Sequence, residues 1–175
     1  MRYLSTKNTA LRAFQLAAEP ATWAMGQSAL DTISTMTELT AKVTNFFGYY
    51  QRAMADSEVE RIAALYADVF LFGDPAGVRS VSKEDFIRVL PRRKEFFASV
   101  GLTSSTIHTL DASELGSSYV LANVTWKMRF ERRDRQQSVE SVNSASYILF
   151  VVGDSFRIVV QLDHQDLVKK AEDLG

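Results

Sequence analysis

A chain of 175 residues, 46 % apolar and 23 % charged, has the size and composition of one globular domain with a substantial core. With no Cys and 2 His it carries no disulfide framework, no thiolate zinc site and no thiol nucleophile. Its 20 Lys and Arg against 21 Asp and Glu leave a net charge of −1, without the cationic surplus that general nucleic-acid binding draws on, and no apolar run is long enough to cross a bilayer.

Residues 1–35 stand apart from the rest. They are rich in Ala, Ser and Thr, and Arg2, Lys7 and Arg12 precede the first acid, Glu19. A basic, acid-poor start fits a mitochondrial targeting segment. A short amphipathic helix over residues 9–19, stopped by Pro20 and followed by a tether, fits as well, and Met25 and Met36 are alternative starts. These readings stay open. The expected division is an extension over 1–35 and a domain over 36–175, in a cytoplasmic setting.

From Thr37 the patterning is strong. Leu39, Val43, Phe46, Phe47, Tyr50 and Met54 recur at helical spacing, which predicts a first helix with one buried face. Ser57 and Glu60 match a capping box, which predicts a second helix through Tyr66. Residues 69–72 read as a short strand ending at Gly73-Asp74-Pro75. Ser82 and Asp85 start a third helix, with Phe86, Val89, Leu90, Phe96, Phe97 and Val100 apolar; Pro91 kinks or restarts it, and Gly101 caps it. Strands follow over 103–114, 117–132, 139–152 and 156–164, with a polar hairpin tip at 133–136 and a short helix over 165–174. Helices first and long strands after predict an α+β fold, with three N-terminal helices packed in a strongly curved antiparallel sheet.

No Gly-rich phosphate loop, nucleophile elbow or paired-His metal motif is present, which argues against nucleotide hydrolysis, dehydrogenases and serine hydrolases. Among polar residues, Asp74 sits in good turn chemistry. Tyr50 lies on the buried stripe of the first helix. Trp126 and Met128 share one strand face, as core or as cavity wall. His108 reads as a partly exposed strand residue. Asp163 and His164 are neighbours on a strand and point to opposite faces, so they do not form a dyad, although one of them can reach a pocket mouth. Asn123 and Asn143 stay unassigned. Arg88, Arg92, Arg93 and Lys94, and the arginines around residues 129–135, read as solvated surface, with an anionic ligand or acidic partner as the other reading.

The stretch Ile62-Ala63-Ala64-Leu65-Tyr66-Ala67-Asp68, followed by Phe72-Gly73-Asp74-Pro75-Ala76-Gly77, resembles the nuclear transport factor 2-like superfamily, in the branch of SnoaL-like polyketide cyclases and ketosteroid isomerases. The resemblance spans about residues 37–165. It implies a cone-shaped, cystatin-like fold with a pocket between sheet and helices, no cofactor, a small apolar or neutral ligand, and a homodimer paired through the sheet. By the family's motif the general base falls on Asp74 and the oxyanion donor on Tyr50. Aligning residues 147–150 puts Ser146 where the isomerases carry a second acid. Phe47, Phe72, Trp126, Met128 and Asp163 join Ser146 as expected ligand contacts. Two functions remain open: a cofactor-free isomerase or cyclase that takes a proton from beside a carbonyl, or a noncatalytic ligand-binding or dimerisation module. The separating observation is whether Tyr50 and Asp74 share one cavity.

Overall fold

Val43, Phe46, Phe47, Tyr50 and Ala53 are all buried, and their spacing of three and four residues lays one stripe of α1 (Ala21–Asp56) on the core. The computed structural model describes residues 21–132 and 137–174, so the expected helix at 9–19 and the hairpin tip at 133–136 lie outside the described residues. By its contacts the chain divides into two compact units, Met1–Thr37 and Glu38–Gly175. In the first unit the described residues, 21–37, are helical. The second holds everything that follows.

Ser57 does not cap the second helix. It takes a φ of 59° and closes α1: its N–H donates to Met54 O at 3.3 Å, and Glu58 N–H donates to Ala53 O at 3.0 Å. That pair of bonds is a left-handed helix terminus, a job usually given to glycine. A residue in this conformation cannot also serve as an extended N-cap. Helix α2 is therefore short, Val59–Ala64, with Glu58 before it and no side-chain cap. Tyr66 starts β1 (Tyr66–Asp74) instead of ending the helix.

An unexpected strand, β2 (Gly77–Ser82), pairs antiparallel with β1 around Pro75-Ala76. Helix α3 (Lys83–Ser99) begins as expected, with Ser82 Oγ accepting from Asp85 N–H at 3.1 Å. Pro91 sits within α3 and does not end it; buried Leu90 and Phe97 hold the helix to the core on both sides of the proline. Gly101 follows with a φ of 82°, and a Cβ there would stand 2.3 Å from Glu131 O. Only glycine permits that approach, which brings Glu131 N–H to Gly101 O at 2.8 Å.

The remaining elements are β3 (Leu102–Glu114), β4 (Tyr119–Arg132), β5 (Gln137–Val152), β6 (Ser155–Asp163) and α4 (Leu167–Leu174). Among the described residues six strands form one sheet in the order β2-β1-β6-β5-β4-β3, antiparallel except where β1 runs parallel beside β6. The α+β class is as expected, with β2 and the extended β1 enlarging the sheet.

One face of the sheet is the core face. On β4 it carries Val120, Ala122, Val124, Trp126, Met128 and Phe130; on β5 it carries Ser141, Asn143, Ala145, Tyr147 and Leu149. On β6 the alternation breaks. Phe156 and Ile158 are buried, and so are Gln161 and Asp163, three residues further on. Pairing with β5 explains this: Leu149 faces Ile158 while Ile148 faces Val160, so β6 has one extra residue at Val159. This bulge moves the rest of the strand onto the other phase and turns Gln161 and Asp163 inward.

Candidate functional site

Two apolar clusters fill the core face. The larger includes Tyr50, Tyr66, Trp126 and Tyr147; the smaller gathers Phe97, Met128, Phe130 and Ala171. A cavity of about 510 Å³ is lined by members of both, a size suited to a small organic ligand. Its sheet wall carries Trp126, Met128, Asn143, Tyr147, Gln161 and Asp163. Its helix wall carries Tyr50 and Met54 from α1, and Arg93 and Phe97 from α3.

A chain of hydrogen bonds crosses the inner end. Tyr50 Oη and Tyr66 Oη are 3.2 Å apart, Tyr66 Oη donates to Gln161 Oε1 at 2.7 Å, and Gln161 Nε2 donates to Asp163 Oδ1 at 2.9 Å. The amide nitrogen of Gln161 fixes the direction, because it only donates. Gln161 then turns its amide hydrogens to Asp163 and its oxygen to Tyr66. Tyr66 spends its hydrogen on Gln161, so Tyr50 must spend its own on Tyr66. In this arrangement Tyr50 meets the cavity as an acceptor.

Tyr147 is placed differently. Its oxygen accepts from Trp126 Nε1–H at 3.2 Å. An indole nitrogen donates and never accepts, so the Tyr147 hydroxyl keeps its own hydrogen. Tyr147 faces Gln161 across β5 and β6, and Ala145 faces Asp163. Tyr147 and Asp163 are thus diagonal neighbours on one sheet face, with backbones about 7–8 Å apart. Asn143 completes the wall. Its Nδ2 reaches Met128 Sδ at 3.0 Å, and its buried Oδ1 has no partner among the described residues.

Burial sets the proton affinities. It raises Asp163 from its ordinary value, against the opposing pull of the Gln161 hydrogen bond and the Arg93 charge. Burial also raises Tyr50, and holds Tyr66 and Tyr147 well above the usual phenol range, so these hydroxyls stay neutral.

Of the residues singled out from the sequence, Tyr50, Trp126, Met128 and Asp163 line the cavity. The other four expected residues lie elsewhere. Asp74 closes the turn between β1 and β2: its Oδ1 accepts from Ala76 N–H at 2.9 Å and its Oδ2 stands 3.9 Å from Arg79. It does not line the cavity with Tyr50. Ser146 is one residue out of phase with the core face of β5; on the outer face it donates to Asn123 Oδ1 at 2.6 Å and meets His164 Nε2 at 2.9 Å. Phe47 is 0 % exposed behind the wall, 4.8 Å from the Tyr147 ring. Phe72 lies under the Arg79 guanidinium at 4.8 Å.

Sequence reasoning left Gln161, Tyr147, Tyr66 and Arg93 out of the site. Extending the β4 alternation across β5 selects Tyr147 and Asn143; the β6 bulge has no such signal. Of the basic run on α3, Arg93 and Lys94 line the cavity, while Arg88 and Arg92 are exposed. Asp68 is exposed and paired with Lys83 at 2.7 Å. Among the described residues no cluster of His, Asp or Glu is able to hold a metal ion, and no helix is long and apolar enough to cross a membrane.

A family model described as NTF2-like protein (DUF6841) matches residues 37–166. No curated protein matches the sequence. Solved structures match at low identity. Aln2 from a Streptomyces species is 17 % identical with a TM-score of 0.62, over 77 % of this chain and 96 % of that one. An NTF2-like protein with a cystatin-like fold from Novosphingobium aromaticivorans is 9 % identical with a TM-score of 0.62, over 84 % and 95 %. A nuclear transport factor 2 (NTF2-like) superfamily protein from Salmonella enterica is 13 % identical with a TM-score of 0.55, over 74 % and 92 %. At these identities the likeness is one of fold.

Proposed function

Because the chain belongs to the NTF2-like protein family (DUF6841), we propose that its cavity binds a small organic molecule and that Asp163 takes a proton from beside a carbonyl of that molecule. The observation that carries this reading is a carboxyl group 7 % exposed, lining the cavity, with one oxygen held by Gln161. Its raised proton affinity makes the ionised form a stronger base than a free aspartate. Tyr147, with its hydrogen unspent, donates to the enolate oxygen as charge develops there. Asp163 then returns the proton at a second carbon, which completes an isomerisation, or the enolate attacks a carbonyl within the ligand and Asp163 returns the proton to the alkoxide so formed, which completes a cyclisation. This reading moves the base from Asp74 to Asp163 and the oxyanion donor from Tyr50 to Tyr147.

The test uses cyclic ketones such as 2-tetralone in D2O, with NMR following loss of the signals beside the carbonyl. The parent chain is expected to accelerate exchange over buffer, Asp163→Asn to lose the acceleration, and Asp74→Asn to keep it. Exchange at the parent rate in Asp163→Asn would remove Asp163 as the base.

The second reading, assembly through the sheet, draws on the outer face. Tyr119, Val142 and Phe150 are exposed there, with the Tyr119 and Phe150 rings 5.3 Å apart. Two copies pairing over this surface would cover it. Sedimentation is expected to give a dimer that Val142→Lys dissociates; a monomeric parent chain would rule this pairing out.

A further inference from the structure

We propose that the ligand of this cavity carries a carboxylate, and that Arg93 of α3 binds it. The inference rests on the small-molecule reading above and names the ligand's chemical class. Arg93 is half-buried in the cavity wall, with its guanidinium over the Phe97 ring, 5.1 Å from Cζ to the centroid. Lys42, Arg61, Arg79, Lys83, Arg88 and Lys127 each have a carboxylate partner. Arg93 makes no ion pair and no hydrogen bond with any described residue. Asp163 stands on the sheet wall and does not ion-pair with it.

Yet the charge of Arg93 reaches into the cavity. It lowers the proton affinity of Asp163, Tyr50 and Tyr147, three groups on the cavity lining. The site is therefore polarised, with Arg93 and the more exposed Lys94 on the helix wall, a carboxyl group on the sheet wall, and the apolar surfaces of Trp126, Met128 and Phe97 in the same lining. A neutral ligand that displaces water from this space leaves a guanidinium with neither hydration nor counter-charge. A carboxylate answers its paired N–H groups with two oxygens in one plane. The Phe97 ring covers the guanidinium on one side and uses none of its N–H hydrogen bonds. The overall charge of −1 hides this local sign, and the small apolar or neutral ligand that the resemblance implies gives way to an apolar monocarboxylate.

The test measures binding of 2-naphthoate, 4-phenylbutyrate and decanoate to the full chain by calorimetry, each against its own primary amide. At least one acid is expected to bind about tenfold or more tightly than its amide, with the difference shrinking as salt rises. Arg93→Met removes the guanidinium and its charge and is expected to bring acid and amide to equal affinity; Arg93→Lys retains part of the preference. An unchanged melting temperature shows that the variants are folded. Acids and amides bound equally by the parent, or a preference that survives Arg93→Met, would overturn the role of Arg93 and leave the small-molecule reading standing. Binding of none of these compounds would overturn both.

Discussion

Asp163→Asn is expected to melt at a higher temperature than the parent chain at neutral pH, and at the same temperature in acid. Burial raises the proton affinity of Asp163 in the folded protein. The folded state then binds this proton more tightly than the unfolded state, where the group titrates near about 3.9. The stability that Asp163 contributes is complete below that value and is lost as pH rises through the raised value of the folded state. Above that window the folded chain holds an ionised carboxylate away from water, with Gln161 and Arg93 offsetting part of the cost. Asparagine keeps the oxygen that accepts from Gln161 Nε2 and carries no charge at any pH. Each kcal/mol released raises the melting temperature by about 2–4 °C in a chain of this length. Calorimetry at pH 3 and pH 7 checks this; a variant less stable than the parent at pH 7 would contradict it. A variant that gains stability and loses exchange is the expected mark of a side chain kept for chemistry.

Phe47→Ala is expected to cost about 3–5 kcal/mol in urea denaturation, the usual loss for a fully buried phenylalanine. The Phe47 ring stands 5.2 Å from Phe46, 4.8 Å from Tyr147 and 6.3 Å from Trp126. It backs the two residues whose hydrogen bond shapes the cavity wall, so ligand affinity falls along with stability. A stability loss under about 1 kcal/mol with a large loss of affinity would instead make Phe47 a ligand contact, as the sequence alone suggested.

The core stripe of α1 and the alternation of β4 were legible because each rests on many apolar residues repeating one period. Ser57 was misleading because a serine before a helix usually caps it, and nothing local shows that the preceding helix needs a left-handed residue there. Strand β2 was silent because none of its residues is buried, so it carries no alternation. Asp74 drew attention through Asp-Pro, a local motif whose physical content is a turn. Ser146 failed by one position, which on a strand is a change of face. Asp163 was expected at the cavity, but its route there runs through the bulge at Val159. Unbroken alternation from Phe156 and Ile158 points His164 inward and leaves Asp163 on the outer face; the extra residue exchanges them. Arg93 was hidden in a basic run whose other members are exposed, and of those Lys94 shares the cavity lining with it.

The parallel pairing of β1 with β6 bears on how the chain is made. The strand formed early in synthesis finds its central neighbour only when the last strand has emerged from the ribosome. Until then Phe70 and Tyr66 have no completed sheet beside them, and β5 has an open edge where β6 will sit. The antiparallel pairs β1 with β2, β3 with β4, and β4 with β5 form from neighbouring sequence as it appears. The sheet therefore grows as two separate pieces that β6 joins. Gln161 and Asp163 arrive with that joining strand, so the cavity gains its carboxyl group in the same step that closes the sheet.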